Sequence, residues 1–280
     1  MTYRSLLVHL DHDRHCAART QAAIGLARRM DCHLVGVAPT GLIDFPTAPE
    51  AAAVLGDFAA RAWDALREQT ERLADVFRDA CHAAGVRSCE AVIDEADKAQ
   101  SLIRHAHCSD LSVLSQADPS ARDFRAAQAC VEQVVLYSAR PTLIVPYIDR
   151  VASIGTQALV AWDDSREAAR AVADALPLLR LAQRVVVVHW IDADAADDPG
   201  ARPRLDALCQ WLTWQGVTAE AHHESAGPGI AETMLSRAAD LGADLIVMGA
   251  YGHARWAERV LGGATRGLLA SMTVPVLMSH

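Results

Sequence analysis

The run Asp244-Leu245-Ile246-Val247-Met248-Gly249 is short, apolar and without helical period, and it has a twin in Asp110-Leu111-Ser112-Val113-Leu114-Ser115. Apolar runs of this length suit strands buried on both faces of a parallel sheet. The likeness continues downstream. Thr142-Leu143-Ile144 matches Val276-Leu277-Met278, and Pro141 stands as far beyond Asp110 as Pro275 stands beyond Asp244. Upstream, Leu6-Leu7-Val8-His9-Leu10-Asp11 corresponds to Ala158-Leu159-Val160-Ala161-Trp162-Asp163. Each of these ends in an aspartate and runs into an alanine-rich helical stretch. Second strands read at 34–38 and 185–190, third strands near 87–93 and 217–223. Strands alternate with helices, five strands to each half, which predicts an α/β chain of two tandem doubly wound five-stranded parallel-sheet domains. The expected domains are 1–150 and 151–280, with the boundary at 149–154.

The halves are not built alike. The first holds a long amphipathic helix over 51–84, with Phe58, Trp63, Leu66, Leu73 and Phe77 near helical spacing. That stripe reads as a core face rather than a ligand platform. Its counterpart in the second half is shorter, 204–214, and follows an acidic loop at 192–198.

Composition narrows the functional classes. Apolar residues make up 51% of the 280 and charged residues 22%, so a sizeable core is expected. The formal net charge of −9 argues against sequence-independent nucleic-acid binding, which needs a basic footprint. Lys98 is the only lysine, and no Walker A phosphate loop is present. The seven cysteines form no C-x-x-C pair, the N-terminal apolar run is too short for a signal peptide, and no stretch is long enough to span a membrane. Together these predict a reduced, cytoplasmic protein with no membrane partner.

The second half carries a glycine constellation. After its fourth strand come Gly249, Gly252, Gly262 and Gly263, spaced G-x2-G-x9-G-G, followed by Ala264, Thr265 and a helix over 264–271. Glycine lets backbone amides approach a phosphate closely, and a helix N-terminus offers unpaired N–H groups and a positive dipole end. The loop also follows a parallel strand, where α/β folds place their ligands. The spacing alone carries little weight; the strand before it and the helix after it strengthen it.

This stretch resembles the ATP-binding signature of the universal stress protein family, G-x2-G-x9-G-[ST], and the likeness extends over both halves. The resemblance implies an adenine nucleotide alpha hydrolase-like fold and an adenine nucleotide, ATP or else ADP or AMP, as partner. Carried onto this sequence, it implies Ala161 and Asp163 at the end of strand one and Trp190 after strand two as the border of the adenosine. Met248, Gly249, Gly252, His253, Gly262, Gly263, Ala264 and Thr265 would hold ribose and phosphates. The family's hydroxyl residue after the third glycine is here Gly263, with Thr265 nearby. Asp163 could also cap the following helix, His253 could be a plain loop residue, and Trp190 could be core. Family members of one repeat pair through their last strand, so 142–145 and 276–278 would pair within this chain as a pseudo-dimer, and two chains could associate further.

In the first half Ser115, Asp118, Gln128 and Ala129 stand where the second has Gly249, Gly252, Gly262 and Gly263. Side chains would fill the phosphate space there, and Asp118 would repel an anion. The first domain is therefore expected to be a degenerate, non-binding repeat, in which Asp11 serves as a cap or survives from an ancestral site. Two polar clusters, His9/Asp11/His12/Asp13/His15 and His105/His107/Cys108, show no established metal spacing and read as ordinary loop and helix-start polarity. No nucleophile–base arrangement is visible, so no catalytic residue is assigned. The reading is a nucleotide-binding stress or regulatory protein. A slow ATPase, with Mg²⁺ on Asp163, is one alternative. A structural module without ligand is another.

Overall fold

The computed structural model describes residues 2–41, 49–147, 153–192, 200–226, 229–252 and 263–280. Two compact units divide the chain, Tyr3–Leu114 and a second that spans Ser115–His280.

The first unit runs β1 (Ser5–His9), α1 (Cys16–Met30), β2 (His33–Pro39), α2 (Pro49–Ala83), β3 (Cys89–Asp94), α3 (Lys98–Ala106) and β4, which begins at Leu111 and ends at Ser115. The strand order is β3-β2-β1-β4, all parallel. Leu6, Leu7, Val8, Leu34, Leu111 and Val113 are fully buried, as two-sided burial of a parallel sheet demands. The long helix predicted over 51–84 is α2. Phe77 is buried in the core, while Trp63, Leu66 and Leu73 are half-buried and the Phe58 side chain lies outside the described part. Gly36 of β2 makes room for the helix: a Cβ there would meet Leu10 Cδ1 at 2.7 Å and Phe77 Cε1 at 2.8 Å.

Asp11 does not cap α1. The residue preceding that helix, His15, makes no side-chain cap, and its N–H goes to Asp13 Oδ1 at 2.7 Å. Asp11 instead accepts from the buried guanidinium of Arg19 at 2.8 Å, while Arg19 Nε donates to the His9 carbonyl at 2.7 Å. His9 lies 3.4 Å from Asp11 and is itself buried. Burial, reinforced by the Arg19 charge, pushes the His9 imidazole down to about 3. Its folded pKa is thus below its unfolded value, so its contribution is fully present above about 6.5 and is lost as pH falls towards 3. Acid titration of unfolding free energy should show a loss on the order of a few kcal/mol across that window. In His9→Gln this part of the slope should be gone; an unchanged slope would mean that His9 titrates normally.

The second unit contains α4 (Phe124–Tyr137), β5 (Thr142–Val145), β6 (Gln157–Ala161), α5 (Arg166–Leu179), β7 (Arg184–Asp192), α6 (Ala201–Trp214), β8 (Ala219–Ala226), α7 (Ile230–Leu241), β9 (Leu245–Gly249), α8 (Gly263–Ser271) and β10 (Val276–Ser279). Its strand order is β5-β10-β9-β6-β7-β8. Five of these strands, β6 to β10, are mutually parallel in the doubly wound pattern. β5 joins them antiparallel, with Val276 opposite Ile144 and Met278 opposite Thr142. Leu143, Ile144, Val276, Leu277 and Met278 are buried together along this seam. Each such side chain contributes about 1.5–3 kcal/mol by leaving water. Asp244 ties the start of β6 to β9: its carboxylate accepts the N–H groups of Thr156 and Gln157, both at 2.8 Å. Asp110 does the same in the first unit for Arg4 and Ser5.

Candidate functional site

The register of the second unit assembles the expected residues at the carboxyl ends of three strands. Ala161 of β6 lies opposite Val188 of β7 on one side and Met248 of β9 on the other. Partners in register share a face and side chains alternate along a strand. Ala161, Met248 and Trp190 therefore lie on one face of the sheet, whereas Trp162 and Gly249 lie on the other. Ala161, Met248 and Trp190 are all buried.

Trp190 carries the most informative atom of this row. It is 5% exposed, and its indole N–H has no hydrogen-bond partner. A buried donor without an acceptor costs about 1–3 kcal/mol, which marks a place where an acceptor is wanted. Across the register it faces Glu224 of β8, which is paired with Arg237 of α7 at 2.8 Å. The Arg237 Nε is likewise buried and unpartnered. Glu224 is a residue that the sequence did not reveal, because only pairing in register sets it opposite Trp190, and Arg237 is tied to it through the ion pair.

Asp163, two residues beyond Ala161, is exposed. Its Oδ1 accepts the Ser165 N–H at 3.1 Å and the Ser165 hydroxyl at 2.6 Å. The cap of α5 is Ser165 itself, which accepts the Ala168 N–H. Between them Asp164 turns through φ 60° and pairs with Arg204 at 2.8 Å.

The first two glycines are held against α5. A Cβ on Gly249 would meet the Ala168 backbone nitrogen at 2.6 Å and the Glu167 carbonyl carbon at 2.7 Å. A Cβ on Gly252 would meet Glu167 Oε2 at 2.8 Å. Glu167 is 3% exposed and hydrogen-bonded by Arg166. Burial pushes its carboxyl up, but the Arg166 contact outweighs this and leaves it below its ordinary value, hence ionised at neutral pH. Glu167 is a further residue that the sequence did not single out; it lies where a Cβ on Gly249 or Gly252 would stand.

Gly263 opens α8, followed by Ala264 and Thr265. Thr265 is buried, and its hydroxyl oxygen accepts the Tyr251 N–H at 3.3 Å, fixing the start of the glycine loop to the helix that ends it. Burial and the neighbouring Glu132 raise the Tyr251 phenol above its usual range. His253 and Gly262 lie outside the described residues.

In the first repeat Asp118, the counterpart of Gly252, is buried, with its carboxylate on the N–H and hydroxyl of Ser120 at 2.8 and 2.7 Å. Among the described residues no group of three His, Cys, Asp or Glu is placed to hold a metal ion. No helix there is long and apolar enough to cross a membrane. A cavity of about 340 Å³ between α5 and α6 is lined by Trp162, Asp164, Val172, Arg204, Leu208 and Trp211, and by none of the expected site residues.

Comparison with known proteins follows the same outline. Residues 156–280 match the model of the universal stress protein family. The chain belongs to the universal stress protein family. A universal stress protein from Archaeoglobus fulgidus DSM 4304 superposes with a TM-score of 0.76 at 17% identity, over 98% of this chain and 95% of that one. A functionally unknown protein from Pseudomonas aeruginosa PAO1 does so with a TM-score of 0.59 at 17% identity, over 99% and 92%. At such identity the likeness is one of fold, and it extends over both repeats. No curated protein matches the chain. This universal stress protein thus has the tandem α/β architecture that its repeated sequence predicts.

Proposed function

We propose that the second repeat binds one adenine nucleotide, ATP foremost, at the carboxyl ends of β6, β7 and β9, and that the protein acts in the cytoplasm by changing conformation or partner on binding. The observation that carries this reading is the buried, unpartnered indole N–H of Trp190 on the face shared by Ala161 and Met248. An adenine or ribose acceptor would satisfy it. A bound nucleotide would supply the negative charge that the N-terminus of α8, at Gly263, Ala264 and Thr265, is suited to meet. Gly249, Gly252, His253 and Gly262 would complete the phosphate loop, and the exposed Asp163 is the residue to hold an accompanying Mg²⁺. The first repeat is proposed not to bind. It carries His9 at the position of Ala161, with Arg19 drawn onto Asp11, and Asp118 at the position of Gly252. The antiparallel pairing of β5 with β10 supports a pseudo-dimer within one chain.

Trp190→Phe tests the reading, since it keeps the ring and removes the N–H. Calorimetric titration should show ATP binding weakened about 3- to 10-fold, the worth of one neutral hydrogen bond. Equal affinity in both proteins would make Trp190 a core residue only. A second reading draws on Gly249 and Gly252, whose lack of a side chain is explained by α5 without any ligand. It makes the protein a structural module, and it predicts no binding heat with ATP, ADP, AMP or GTP.

A further inference from the structure

We propose that the groove between α5 and α6 binds a small aromatic amino acid in its zwitterionic form, at a site separate from the nucleotide site. α5 packs chiefly on β9 and β10, and α6 on β8. In the strand order β10-β9-β6-β7-β8 the two helices therefore straddle β6 and β7. Trp162, directly after β6, lines the groove between them. Its backbone is pinned to β7: its N–H donates to the Val188 carbonyl at 3.0 Å, and its carbonyl accepts from His189 Nδ1 at 2.9 Å. Trp162 lies on the sheet face opposite to Ala161, Met248 and Trp190, so this site shares no residue with the proposed nucleotide site and does not rest on it.

The groove stays open because the helices meet it with alanine. Ala173 of α5 and Ala207 of α6 line it and are exposed, with Val172 and Leu208 buried beside them. The space is about 340 Å³, near the lower end for small-molecule sites, which suits a small ligand. Its lining states the ligand's chemistry. Two indoles, Trp162 and Trp211, border an otherwise aliphatic wall, and indoles favour an aromatic partner in offset or edge-to-face contact. The charged groups of the lining form one pair, Arg204 Nε to Asp164 Oδ2 at 2.8 Å, with side chains 43% and 42% exposed. A pair so exposed contributes little and opens at small cost. Opened, it offers a guanidinium to a carboxylate and a carboxylate to an ammonium. A ligand that carries both beside an aromatic ring satisfies both members of the pair. A purely anionic or purely cationic ligand satisfies one at the expense of the other.

The test is calorimetric titration of the full chain with L-phenylalanine, and with phenylacetate and phenethylamine, which lack the ammonium and the carboxylate respectively. L-Phenylalanine should bind saturably, and each of the other two about 10-fold or more weaker, the worth of one hydrogen bond to a charged group. Ala173→Leu and Ala207→Leu fill the groove from exposed positions of helices, which leucine suits. Both should keep a thermal midpoint no lower than wild type and the same response to ATP, and lose saturable L-phenylalanine binding. Gly252→Asp should keep it. Absence of saturable heat with L-phenylalanine at millimolar concentration would overturn the proposal. So would phenylacetate binding as tightly, choline binding more tightly, or unchanged affinity in Ala207→Leu. A dimer in sedimentation that Ala207→Leu dissociates would put a second copy of the chain on the groove in place of the ligand.

Discussion

Replacing Arg19 with Ala should cost the first unit about 3–5 kcal/mol, the usual effect of removing one partner from a buried ion pair. Arg19 is 2% exposed and its guanidinium binds both the Asp11 carboxylate and the His9 carbonyl. Without it, both acceptors remain in place and one is charged. The Asp11 side chain keeps 20% of its exposure, so water can relieve part of the cost, which places the expectation near the lower end of that range. Burial alone would raise the Asp11 carboxyl, but Arg19 and His9 hold it well below the usual range. Because the folded pKa is depressed, this stabilisation is present above about pH 4 and is lost as pH falls further. Urea unfolding of wild type and Arg19→Ala should therefore differ most at neutral pH and converge in acid. A difference under about 1 kcal/mol at pH 7 would mean that the pair is worth no more than an exposed one.

Gly252→Asp should weaken ATP binding at least about 100-fold, which corresponds to about 2.8 kcal/mol. The substitution copies Asp118 of the first repeat. The new side chain would start 2.8 Å from Glu167 Oε2, placing a second carboxylate beside an ionised one next to the proposed phosphate site. Unit charges 4 Å apart interact by about 4 kcal/mol near a protein surface, ample for the loss. Gly252→Ala separates sterics from charge. Its Cβ meets only the far end of a side chain that can swing, so its binding should change a few-fold at most. Calorimetry on the two variants checks this. Equal losses in both would show that bulk, not charge, excludes the nucleotide.

The tandem fold was legible because its signals are local. Two-sided burial turns strands β4 and β9 into matching apolar runs, and the equal Asp-to-Pro spacing aligns the repeats without a gap. The α2 helix was legible from the period of Trp63, Leu66, Leu73 and Phe77. What stayed hidden depends on contacts between distant residues. Nothing local in Asp11 says that Arg19 will fold back on it, so a cap was as good a reading as any. Nothing in Gly249 separates a phosphate cradle from a strand end pressed on α5, and the structure shows the second. Thr265 is a hydroxyl near the third glycine in sequence, but its oxygen is engaged by the Tyr251 N–H. Trp190 could be core or ligand border on sequence alone; only the burial of its unpaired N–H favours the border.

The most direct test of a single nucleotide site in the second repeat is the stoichiometry of ATP on the full chain, measured by isothermal titration calorimetry. One ATP per chain is the predicted result. Two per chain would show that the first repeat also binds, despite His9, Arg19 and Asp118. No binding heat under conditions where the chain is folded would contradict the account and leave the glycines to packing alone.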